Sequence, residues 1–282
     1  MEIIRKFSSD QIQRYLRRGN KRVDMFRLYQ VDAQLVRAVG DIQTKNNFSG
    51  SVGEIGVWKG RLFILLNLLL HEKEKAFSID IFDQRNFNKD RPDPKPDPAL
   101  KQILQEFLDN VRKHAGPPDD IHTILASSDN VVAEDILSTV GAVRLFSIDG
   151  GHTKELVIND LDLAASTLCD HGVVIFDDCF KPEWPGVTNG LHEFLLRKSA
   201  DLVPFAISLN KVFLCKSSAA EMYRESLKEM ESGYYNKETV FFGSTVGFYS
   251  NRWEHRVKKK GIPRKIHKIL RRFWPYREML MK

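Results

Sequence analysis

Val52-Gly53-Glu54-Ile55-Gly56-Val57-Trp58-Lys59-Gly60 runs directly into Leu62–Leu70, an apolar stretch broken only by Asn67. The first half reads as a fully buried strand and the second as the buried helix behind it, with Gly56 and Gly60 in the turn between them. Glycine lets backbone approach a ligand closely, and a helix N-terminus favours negative charge. The spacing is G-x-x-x-G and not G-x-G-x-x-G, so the middle glycine of a pyrophosphate-binding turn is missing. A tight strand-to-helix turn with no ligand has the same signature.

Working outward, the same pattern of short apolar run followed by polar residues repeats. Lys75–Ile81 reads as a second strand carrying Asp80. Ile121–Leu125 is a third, followed by Ser127-Ser128-Asp129. Val143–Ile148 is a fourth, ending in Asp149-Gly150-Gly151-His152. Gly172–Phe176 is a fifth, ending in Asp177-Asp178. Helical periodicity lies between them at Leu100–Val111, Val131–Leu137, Thr153–Leu168 and Leu191–Leu196. Strand–helix alternation predicts an α/β protein with a mostly parallel, Rossmann-like sheet and helices on both faces. Val203–Leu209 and Lys211–Lys216, joined at Asn210, read as a terminal antiparallel hairpin, for seven strands in all. In such open sheets ligands bind beyond the carboxyl ends of the strands.

Each strand-end group has a local explanation and a chemical one. Asp80 is a solvated acid or a partner for ribose hydroxyls. Ser128 and Asp129 cap a helix or meet an adenine edge. Asp149, Asp177 and Asp178 are costly together at a buried strand end, and a hard divalent cation such as Mg²⁺ would compensate them. His152, three residues past Asp149, is placed to take a hydroxyl proton beside that cation.

The ends of the chain differ from its middle. Of a net charge of +6, residues 252–282 carry +10 and residues 1–30 carry +5, leaving −9 for 31–251. The basic character therefore belongs to the appendages. Four domains of organisation are expected: a helical extension over 1–48, the core over 49–218, a C-terminal part of that core or a cap over 219–251, and a basic amphipathic tail over 252–282. In the tail, Pro263–Phe273 has the spacing of a helix with an apolar stripe among lysines and arginines, suited to an anionic membrane surface or to docking on the acidic core. Residues 83–98 read as extended loop, with Pro92, Pro94, Pro96 and Pro98 alternating with Asp93, Lys95 and Asp97. Three cysteines without a C-x-x-C pair indicate neither a disulfide framework nor a zinc site. The start carries no apolar signal core, and no run approaches the ~20 residues that span a bilayer, so a cytoplasmic protein is expected, with peripheral membrane association left open.

Taken in order, Glu54-x-Gly56-x-x-x-Gly60, Asp80, Ser127-Ser128-Asp129, Asp149-Gly150-Gly151-His152 and Asp177-Asp178 resemble a class I S-adenosylmethionine-dependent methyltransferase. The closer resemblance is to the metal-dependent O-methyltransferases of macrolide and related glycosides, and it covers residues 50–216. Its most specific element is Asp149-x-x-His152 with Asp177-Asp178 beginning 28 residues after Asp149. The resemblance implies the Rossmann-like methyltransferase fold. It places Glu54 and Gly56 at the cofactor, with Glu54 at its methionine end, Asp80 at its ribose, and Ser128 and Asp129 at its adenine. It further implies Mg²⁺ on Asp149, Asp177 and Asp178, His152 as base with Asp149 beside it, and Trp184 walling the acceptor pocket. A hydroxyl of a sugar or glycoside is the acceptor implied. The alternatives are a nicotinamide-dependent oxidoreductase and a non-catalytic Rossmann-like binding protein. A small-molecule or glycan acceptor is the expected partner, homo-oligomers are left open, and nucleic acid is not expected.

Overall fold

A computed structural model describes residues 3–24, 28–82, 102–197, 200–231 and 233–250. The proline-rich stretch 83–98 and the Pro263–Phe273 helix lie outside the described residues. The described residues all belong to one compact unit.

The chain opens with α1 (Ser9–Arg14), capped by Ser8 and Gln11 in a reciprocal capping box, and continues through a π-turn and a 3₁₀ turn to Arg22. α2 (Gln30–Lys45) follows. Then come β1 (Ser51–Ile55), α3 (Arg61–Leu68), β2 (Ala76–Asp80), α4 (Ile103–Ala115), β3 (Ile121–Leu125), α5 (Ala133–Val140), β4 (Val143–Ile148), α6 (Lys154–Thr167), β5 (Leu168–Phe176) and α7 (Pro185–Arg197). The final elements are β6 (Leu202–Ile207), β7 (Val212–Lys216), α8 (Ser217–Met230), β8 (Tyr235–Phe241) and β9 (Ser244–Tyr249).

Among the described residues the sheet has nine strands in the order β3-β2-β1-β4-β5-β7-β6-β9-β8. The expected seven are therefore exceeded by the β8–β9 hairpin. β1 to β5 pair in parallel, and β7 runs antiparallel between β5 and β6. β9 attaches in parallel to β6, with Ala206 opposite Gly247 and Ile207 opposite Phe248. The turn joining β8 to β9 places Phe242 and Gly243 at φ 46° and 77°. Such a left-handed two-residue turn matches the twist of a hairpin, but its usual sequence signal is Asn-Gly or Asp-Gly.

Side-chain alternation divides the core into two layers. Leu145, Val173, Ile175, Phe213 and Cys215 face the layer formed with α2, α3, α4 and α8. Their neighbours Phe146, Val174, Phe176, Val212 and Leu214 face α5, α6 and α7. Burial on both faces explains why the central strands read as unbroken apolar runs. Strand order reverses between β1 and β4, so the crevice of an open α/β sheet falls at the ends of those two strands. No helix among the described residues is long and apolar enough to cross a membrane.

Candidate active site

The glycine turn and the ends of β2 and β3 make one half of the crevice. Glu54, next to last in β1, is only 2% exposed and accepts the Ser147 hydroxyl at 3.0 Å. Burial pushes its carboxyl up to about 8, against the opposing charge of Lys211. Gly56 adopts φ +80°, and its N–H donates to Ile79 O at 2.9 Å. A Cβ at this position would lie 1.8 Å from the Asp149 carbonyl oxygen, so the turn requires glycine for both conformation and space. Trp58, also left-handed at φ 51°, donates its N–H to Asp80 Oδ2 at 2.7 Å, and Phe82 N–H donates to Oδ1 at 2.6 Å. Burial raises the Asp80 carboxyl while these backbone donors oppose the shift. A carboxylate has about four acceptor sites, so capacity remains for a ligand hydroxyl. Ser128 is buried in the 3₁₀ turn Ser128–Asn130 with Asp129, and its carbonyl accepts from Asn159 of α6 at 3.1 Å.

The ends of β4 and β5 make the other half. Asp149 N–H donates to Ile55 O at 2.9 Å, and Asp177 N–H to Ile148 O at 3.0 Å, which carries the ladder one residue past each strand. Ligand atoms of Asp149, His152 and Asp178 all lie within 4.8 Å of one another. His152 Nε2 is 3.5 Å from Asp178 Oδ2, and the imidazole stacks on Trp184 with ring centroids 4.1 Å apart. Asp178 sits at φ 60°, a conformation that Asp tolerates better than most residues. Its Oδ1 pairs with Lys181 at 2.7 Å and accepts the Asn210 amide at 2.9 Å.

Asp177 faces another way. Its Oδ2 pairs with the Lys211 ammonium, and its Oδ1 accepts from Asn210 and from the Asp178 N–H. The structure thus brings Asp149, Asp178 and His152 to one point and turns Asp177 inward. Electrostatics follow this arrangement. Burial, then Asp177, raise the Asp149 carboxyl well above the usual range, with Lys211 opposing. Burial alone would raise Asp178 too, but hydrogen bonds from His152, Lys181 and Asn210 outweigh it and hold it low.

Sequence reasoning missed Lys211, Asn210 as a side-chain donor, Asp32 and Ser147. Asp32, on the first turn of α2, is buried with its carboxyl pushed up to about 6 by burial, again opposed by Lys211. The one sequence signal was a lysine next to the apolar run Val212-Phe213-Leu214, and a turn explains that equally well.

A family model described as a methyltransferase domain matches residues 54–179, a span that contains every predicted cofactor, metal and base residue. None of the curated proteins matches in sequence. Among solved structures, the O-methyltransferase NovP aligns with TM-score 0.52 and 16% identity, covering 65% of this chain and 79% of that one. CalS11, a calicheamicin methyltransferase, gives 0.48 and 15%, covering 74% and 92%. PaMTH1 of Podospora anserina, solved with SAH bound, gives 0.48 and 12%, covering 74% and 89%. The NovP alignment shows a shared fold, and the family match lies on the strand ends that build the crevice. The stretch from Glu54 to Cys179 thus matches a methyltransferase domain in sequence, within a fold shared with NovP.

Proposed function

We propose that this domain moves a methyl group from S-adenosylmethionine to a hydroxyl of a sugar or glycoside, with Mg²⁺ at the acidic cluster of Asp149 and Asp178. The observation that carries this is the convergence of Asp149, Asp178 and His152 within 4.8 Å beside the glycine turn. The donor set fits a hard divalent cation. Carboxylates supply oxygen ligands, and the raised Asp149 carboxyl marks negative charge that the neighbouring lysines leave incompletely balanced. Bound there, Mg²⁺ would stabilise negative charge on the acceptor oxygen.

The chain's own residues account for the rest. Methyl transfer is an in-line displacement at a carbon on sulfonium, so the two ligands must be aligned and the acceptor oxygen made nucleophilic. Glu54, Asp80, Ser128 and Asp129 hold the cofactor at its methionine end, ribose and adenine. His152, stacked on Trp184, removes the hydroxyl proton. Trp184 and Phe180, 36% and 42% exposed, offer flat apolar faces beside the acids, suited to the C–H face of a pyranose. An uncharged sugar hydroxyl also agrees with the acidic middle of the chain, which would repel a phosphorylated acceptor.

The test is methyl transfer by the full chain to a panel of glycosides, followed by mass spectrometry. Chelation with EDTA should abolish turnover and Mg²⁺ should restore it. Undiminished turnover after rigorous chelation refutes the metal assignment. Absence of S-adenosylmethionine binding by calorimetry refutes the cofactor site as drawn.

A further inference from the structure

Lys211 lies in the turn between β6 and β7 and is 1% exposed. Ser208 N–H donates to Lys211 O at 2.9 Å, and Lys211 N–H donates to Ser208 Oγ at 3.1 Å, which fixes the turn. The ammonium pairs with Asp177 Oδ2, and Asp149 and Asp32 also act on it; together these acids outweigh burial and raise its pKa. Asp177 is equally committed. Oδ2 takes the ammonium, while Oδ1 takes the Asn210 amide and the Asp178 N–H. Separating a buried ion pair leaves an uncompensated charge, which is strongly destabilising. A metal that drew Asp177 outward would strand Lys211 in that position.

Asp178 differs. Its cation, Lys181, has a side chain 44% exposed and can swing into water at little cost. Asn210 joins the two acids, donating to Asp178 Oδ1 at 2.9 Å while holding Asp177 Oδ1. We infer that Lys211 is a positioning residue that withdraws Asp177 from metal ligation, leaving Asp149 and Asp178 as the carboxylates that touch the cation. The division presupposes the proposed metal site. Within it, the third acid serves as the anchor of a built-in cation and orients Asp178 through Asn210.

Mn²⁺ titration of the full chain, read by calorimetry and by the Mn²⁺ spin signal, tests this alongside thermal melting without metal. Asp178→Asn should weaken Mn²⁺ binding by about tenfold or more, the scale on which even supporting groups of a metal site are felt. Asp177→Asn should change it by less than about threefold, yet lower the metal-free Tm, because Lys211 loses its direct ion-pair partner and Asp149 and Asp32 compensate it only in part. Lys211→Met should lower Tm comparably and bind Mn²⁺ more tightly than wild type, since Asp177 is then free to ligate. Should either single variant fail to fold, the paired Lys211→Met/Asp177→Leu change removes both charges and should keep Mn²⁺ affinity near wild type. Equal losses for Asp177→Asn and Asp178→Asn, or lost binding in the paired variant, overturn the division of roles while leaving the metal site standing. If wild type binds no Mn²⁺, the metal site falls and the division falls with it.

Discussion

Gly56→Ala is the perturbation that most directly tests whether the cofactor turn and the acid set are one site. Two costs add at this residue. At φ +80° an L side chain is strained by about 1–2 kcal/mol. The new Cβ would also lie 1.8 Å from the Asp149 carbonyl oxygen and 2.4 Å from its carbon, both backbone atoms that no rotamer change can move. Forcing extra volume into packed structure costs about 1–3 kcal/mol, so the sum is about 2–5 kcal/mol. Gly141 supplies the control. It has φ +76° and nothing within 4 Å of the added carbon, so Gly141→Ala carries the strain alone.

At about 2–4 °C per kcal/mol for a domain of this size, Gly141→Ala should lower Tm by about 2–8 °C and Gly56→Ala by about 4–20 °C. Function separates the two more sharply. Asp149 N–H is tied to Ile55 O at 2.9 Å, so a shift that relieves the Gly56 clash drags the first acid off its position. Differential scanning calorimetry, titration with S-adenosylhomocysteine and Mn²⁺ titration should show Gly56→Ala losing both ligands while Gly141→Ala keeps both. If Gly56→Ala loses the cofactor yet binds Mn²⁺ as wild type does, the turn and the acids are mechanically independent and the reasoning is wrong.

Asp80→Ala should weaken S-adenosylmethionine binding by about 1.5–3 kcal/mol, the usual cost of a lost hydrogen bond to a charged group, and unchanged affinity by calorimetry would remove the ribose assignment. His152→Ala should lower kcat by about 10²–10⁴-fold with little change in acceptor affinity; near-normal kcat across pH 6–9 would assign the proton to another group. Asp160 gives a pH signature. It is fully buried beside Ser128 and Asn159, and burial pushes its carboxyl from 3.8 to about 7. A raised acid stabilises the fold below its unfolded value and loses that contribution as pH climbs from about 4 to about 7, worth about 4 kcal/mol in all. Asp160→Asn should therefore gain Tm on wild type between pH 5 and pH 8, and a constant gap between them would show that Asp160 does not titrate there.

The strand ends were legible because their physics is local. A run such as Val173-Val174-Ile175-Phe176, buried on both faces, can only stop at polar residues, and parallel order then gathers those stops at one edge. What escaped depends on tertiary partners. β8 reads Tyr-Asn-Lys-Glu-Thr-Val-Phe, an edge strand with charges mid-run, and its turn is Phe-Gly. Neither feature marks a hairpin, and the strand exists because β9 completes the free side of β6. Within the helical extension expected over 1–48, helices occupy Ser9–Arg14 and Gln30–Lys45, but the π and 3₁₀ turns between Tyr15 and Arg22 follow from packing that periodicity does not encode. There Tyr15, at the start of the π-turn, is buried and donates its hydroxyl to Arg61 O at 2.5 Å.

Two buried cations distinguish the candidate site from the opposite end of the sheet. Arg144 in β4 is wholly buried at the opposite end, where its guanidinium reaches Glu74, Gln43 Oε1 and Leu69 O at 2.7–3.1 Å. Burial there would raise Glu74, but hydrogen bonds from His71 and Arg144 outweigh it and bring the carboxyl down to about 2. Every strong group at that end has found its partner, and the network holds α2, α3 and β4 together. Lys211 stands against Asp177, Asp149, Asp32 and Glu54 with a single charge, so Asp149 stays well above its ordinary range and Glu54 rises to about 8. Perturbed acids of this kind mark functional sites more often than saturated networks do. Neither lysine nor arginine announces its burial in the sequence. The distinction appears only when the acids around each cation are compared, and it falls on the edge where the glycine turn, Asp80 and His152 already converge.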